Sequence, residues 1–162
     1  MPYKAKMLTK LLYLKVKNRE QEKLYDELIG KIAAAELKDI SGILCEIYEK
    51  INDQGIISRL IPSRRDFEVD GNFMYLDDIE RYKIIWIANI SGYLFELTFQ
   101  EIDKLNEFKS LVQSICRLSK DNILNGLYEI LAKLYDIFHG NEDEIEKIVK
   151  KSHIENLLDM FY

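Results

Sequence analysis

The sequence predicts an all-α fold, a single-domain bundle of about six to seven helices. Three observations carry that prediction. Prolines and glycines are scarce, two and seven in 162 residues, so few forced turns interrupt the chain. Apolar residues recur at three- and four-residue spacing through most of its length, the period of a helix with one buried face. Alternating apolar and polar runs are too few to build a sheet domain. At 48% hydrophobic and 31% charged residues, the chain can bury a large core and still present a charged surface.

Leu24, Leu28, Ile29 and Ile32 mark a first helix over about 20–36, extended by Ala33-Ala34-Ala35. Ile40, Ile43, Leu44, Ile47, Tyr48 and Ile51 mark a second from about Asp39 to Asn52, with Gly55 as a stop. Residues 58–73 break the periodicity. Pro62 disfavours helix at Ile61, and Asp70-Gly71 signals a turn. Helix returns from about Tyr75 to Phe95, apolar nearly all round, as expected at the centre of a bundle.

Thr98-Phe99-Gln100-Glu101 has the form of a capping box that would open a helix through Ile102, Leu105, Phe108, Val112 and Ile115. Ser119 is placed to cap the next helix, with Ile123, Leu127, Ile130, Leu134 and Phe138 on its stripe. Gly140 can end it in the left-handed conformation. Asn141 and Glu144 suggest a further start, and Ser152-His153-Ile154-Glu155 another. The expected division is a helical bundle domain over 1–140 and a C-terminal helical appendage over 141–162, packed or partner-binding. Leu12-Tyr13-Leu14-Lys15-Val16-Lys17 alternates like an edge strand. A short strand at 11–17, or a hairpin at 66–74, is the alternative this pattern leaves open.

No apolar run reaches the roughly 18–20 residues that cross a bilayer, and the N-terminal apolar patch is too short for a secretion signal. A cytoplasmic protein with no membrane partner is expected. Net charge is −5, but residues 1–23 carry +5 and the remainder −10. An acidic body repels phosphate, so extensive duplex binding is not expected. Cys45 and Cys116 are distant in sequence and sit in apolar helical patterns, which reads as buried free thiols.

Catalytic signals are sparse. His139 and His153 lie near helix ends, without a recognisable triad. Asp77, Asp78 and Glu80 open a helix, where acids are favoured by the dipole, and adjacent carboxylates on a helix diverge by about 100°. No Gly-rich phosphate loop occurs. No enzyme, metal, cofactor or small-molecule substrate is expected. Arg59, Arg64 and Arg65 cluster around Pro62 with Phe67 and Phe73 nearby. With Lys15 and Lys17 of the basic N-terminal segment, they are the candidates for a weak nucleic-acid contact through backbone pairing and stacking, or for pairing with a protein partner.

From Leu60 to Leu111 the chain resembles the helical A domain of archaeal-type GINS complex subunits. The resemblance is carried by Leu60-Ile61-Pro62, by Leu76, Asp78, Arg81 and Ile85, by Gly92, and by Leu97, Phe99, Glu101 and Phe108-Lys109-Ser110-Leu111. It implies a non-enzymatic scaffold of DNA replication that joins the helicase to other protein subunits, with Arg81 facing a partner. The family usually follows this domain with a small β domain, whereas the pattern here after Leu118 is helical. The last residues are similar to the peptide with which replication and repair proteins hold the sliding clamp. Leu158, Phe161 and Tyr162 would form an apolar plug, and Glu155 stands where that pattern usually has Gln. Two alternatives to the scaffold follow: a clamp-tethered accessory factor acting through 155–162, and a nucleic-acid-binding helical subunit of a ribonucleoprotein complex.

Overall fold

A computed structural model describes residues 2–148. Among these the fold is all-α, with nine α-helices, four 3-10 turns and no strand. Helix α1 (Pro2–Lys17) buries Tyr3, Met7 and Leu11, one residue per turn, and packs along α2 (Glu22–Ala34), which answers with Tyr25, Leu28 and Ile32. Helix α3 (Ile40–Lys50) buries Ile40, Ile43, Leu44, Ile47 and Tyr48. The short α4 (Gln54–Leu60) and α5 (Arg64–Glu68) lie on either side of Pro62. Asp53 caps α4 by accepting from the Ile56 N–H at 3.0 Å, and Tyr3 stacks on Phe67 of α5 with ring centroids 5.1 Å apart.

Helix α6 (Asp78–Phe99) is the hub, packed against α3, α4, α5, α7 (Leu105–Cys116) and α9 (Glu142–Ile148). Trp86, Ile87, Ile90 and Leu94 are fully enclosed along it, so its apolar residues reach most of its circumference. Inside this packing the Tyr48 hydroxyl meets the Ser91 hydroxyl at 2.8 Å, and Ser91 also donates to the Ile87 carbonyl at 2.7 Å. Helix α8 (Ile123–Ile137) lies on α7. It follows a capping box between Ser119 and Asn122, and Gly140, at φ +74°, turns the chain after it as expected. Asn141 then accepts from the Glu144 N–H at 3.3 Å. Asn89 of α6 donates to the Ile148 carbonyl at 3.0 Å, which fixes α9 to the hub.

Three sequence expectations are corrected. Residues 11–17 are the second half of α1, and 66–74 form the end of α5, a turn and a 3-10 turn; neither contains a strand. Thr98 caps nothing: it lies in the last turn of α6, and its hydroxyl donates back to the Leu94 carbonyl at 3.0 Å. Asp103 accepts from the Leu105 N–H at 3.0 Å and starts α7 instead. The irregular segment around Pro62 holds two short helices, α4 and α5. Cys45 and Cys116 are not free thiols. They form a disulfide between α3 and α7, with Cα atoms 6.2 Å apart. No helix among the described residues is long and apolar enough to cross a membrane.

Candidate interaction groove

An open groove of about 1200 Å³ runs between α1, α4, α5, α6 and the end of α9. Helix α6 lines its floor with the buried Ala88 and the exposed Gly92, one turn apart. A Cβ added at Gly92 would meet nothing within 4 Å, so the floor is low and open. Pro62 positions the rim. It ends α4, carrying Arg59, and lets α5 begin at once with Arg64 and Arg65. The three arginines singled out in the sequence therefore converge on one edge.

Helix α1 adds Lys6 and Lys10, one turn apart, to the same cavity. Lys6 pairs with Asp66 at 2.9 Å, and against the cost of burial that bond holds the Asp66 carboxyl below its usual range. Lys10 donates to the Arg59 carbonyl. Burial, then the nearby charges of Arg59 and Lys6, push its ammonium below the ordinary lysine value. Arg64 is engaged by Glu68, Nε to Oε1 at 2.5 Å, while its buried Nη1 has no partner among the described residues. Arg59 and Arg65 are exposed, and neither has a carboxylate partner among those residues. Six cations and three carboxylates line the groove, so it is locally positive on a chain of net −5.

The groove's aromatic residues are already committed. The Tyr93 ring packs edge-on against Phe138 at 4.9 Å. Burial, then the Glu144 carboxylate, which also accepts from its hydroxyl, raise the Tyr93 phenol above its ordinary value. Phe95 packs edge-on against Phe99 at 4.7 Å.

The other expected site residues lie elsewhere. Lys15 pairs with Asp26 of α2 at 2.7 Å, and the Lys17 ammonium sits 5.8 Å from the centre of the Tyr13 ring. Both are at the far end of α1 from the groove. Arg81 is two turns from Ala88 on α6, outside the groove lining, and pairs with Asp78. Asp77 caps α6 through the Ile79 N–H at 3.0 Å, while Glu80 accepts from Ser41 at 2.5 Å, so the acidic run diverges as its spacing requires. Among the described residues no group of three or more His, Cys, Asp or Glu is placed to hold a metal. His139 is exposed beyond α8. Glu155, Leu158, Phe161, Tyr162 and His153 lie outside the described residues.

Lys6 and Lys10 were absent from the sequence-predicted site. Their four-residue spacing on α1 would have placed them on one face, but which face met Arg59 is decided by the packing of α1 on α4. Fold and cavity together define a helical domain with a cation-rimmed groove. Compared with protein-family models, with curated proteins and with solved structures, the chain matches none.

Proposed function

We propose that this chain is a non-enzymatic interaction scaffold of DNA replication, a GINS-like subunit that links the helicase to its partners. The observation that carries the interaction reading is the open groove with two exposed arginines that lack carboxylate partners among the described residues. Arginines in that state on a low, open floor are suited to a partner's acidic groups. The replication setting comes from the resemblance over 60–111. Its residues span the end of α4, the whole of α6 and the middle of α7, and the first two of these border the groove.

The test is purification of the tagged full chain from its native cells, with quantitative mass spectrometry of what accompanies it. Helicase-associated proteins in fixed proportion to the chain are the expected result. A chain that emerges as a monomer without them contradicts the proposal.

A further inference from the structure

Resting on the scaffold reading, we propose that the groove takes an acidic segment of a partner protein, its carboxylates held by Arg59 and Arg65 and its backbone seated over Ala88 and Gly92. Four observations select that occupant. The rim is a cation cluster in which Lys10 faces Arg59 and Lys6, so a carboxylate entering there relieves like-charge repulsion. Guanidinium groups bind carboxylates through two parallel hydrogen bonds, and Arg59 and Arg65 are exposed to do so. The floor at Gly92 leaves room for a Cβ and more, so a partner's main chain can approach α6 closely. The cavity of about 1200 Å³ exceeds the roughly 300–1,000 Å³ of small-molecule pockets.

A nucleic acid fits less well. Binding single strands needs free aromatic faces for base stacking, and Tyr93 and Phe95 are packed against Phe138 and Phe99. The groove gathers six cations on a chain of net −5, which suits a short anionic stretch over a long polyanion.

The experiment titrates the full chain into a fluorescein-labelled amphipathic peptide of Glu, Leu and Ala and reads anisotropy. Saturable binding that weakens with salt is expected, with none for the same peptide carrying Gln in place of Glu. The double variant Arg59→Glu/Arg65→Glu should weaken binding by about tenfold or more, since reversal replaces attraction by repulsion. Gly92→Glu should do the same from the floor. Its thermal melt should match or exceed that of the unaltered chain, because the added side chain enters open space and Gly is a poor helix former. No binding of the Glu peptide, equal binding by the Gln peptide, or unchanged affinity in well-folded variants overturns the proposal. So does a thymidine oligonucleotide that binds more tightly and is lost in the same variants, which would assign the groove to single-stranded nucleic acid. If the peptide fails while the tagged chain still brings down helicase-associated proteins, the groove assignment falls and the scaffold stands.

Discussion

Breaking the bond between Cys45 and Cys116 is the sharpest perturbation of the fold. The bond closes a loop with a sequence separation of 71 residues, which contains all of α4, α5 and α6. In the chain-entropy view, freeing such a loop raises the entropy of the unfolded chain by an amount worth about 4 kcal/mol at room temperature. The native side should change little. Helices α3 and α7 also meet through Lys109, whose ammonium donates to the Tyr48 and Ile51 carbonyls at the end of α3, and through the apolar contacts of Phe108, Val112 and Ile47 in one core. The folded form should therefore survive reduction with a lower melting point, by roughly 8–16 °C for a chain of this size. Intact mass before and after alkylation establishes the bond, and thermal and urea melts with and without dithiothreitol measure its worth. Ready alkylation of both cysteines in the folded, unreduced protein would refute the pairing. An unchanged midpoint on full reduction would refute the loop-entropy reasoning.

Four further outcomes follow from the packing. Gly42→Ala on the exposed face of α3 meets nothing within 4 Å and should stabilise by about 0.5–1 kcal/mol. Gly126→Ala on α8 would bring a Cβ to 2.6 Å from Leu118 Cδ1, which is enclosed in the core, and should cost about 1–2 kcal/mol by chemical denaturation. Asp77→Ala should cost about 1 kcal/mol through loss of the α6 cap. The Ile79 N–H, then Lys120, hold the Asp77 carboxyl below the usual range, against burial. Its contribution is thus complete above the ordinary carboxylate value and lost as pH falls through the lower folded one, so the variant and the parent should converge in acid melts. Lys109→Met should leave the two α3 carbonyls without their donor and lower stability by about 1–2 kcal/mol, read as a shifted urea midpoint.

The fold class was legible because the buried positions of α2, α3, α6, α7 and α8 repeat with the helical period, and tertiary packing has little freedom to override that. At α1 the pattern misled for a definite reason. The face that packs is Tyr3, Met7 and Leu11, while Leu12, Tyr13 and Val16 are 53%, 62% and 68% exposed. Those surface apolar residues supplied the strand-like alternation. Thr98 matched a cap motif by composition, but its place in the last turn of α6 was settled by packing of that helix through Leu94 and Leu97.

The cysteine pairing had no local signal at all, since it depends on how α3 and α7 meet. The groove was half legible. Three arginines flanking a proline must share an edge, whereas Lys6 and Lys10 join them only once α1 packs on α4 and α5.

The central claim is that the chain works by holding other proteins through this groove. Its most direct test purifies the tagged full chain and its Arg59→Glu/Arg65→Glu variant from native cells under identical conditions and compares bound proteins quantitatively. Helicase-associated partners present with the unaltered chain and depleted about tenfold or more with an equally stable variant are the predicted result. Equal recovery of partners by both, or none by either, would contradict it.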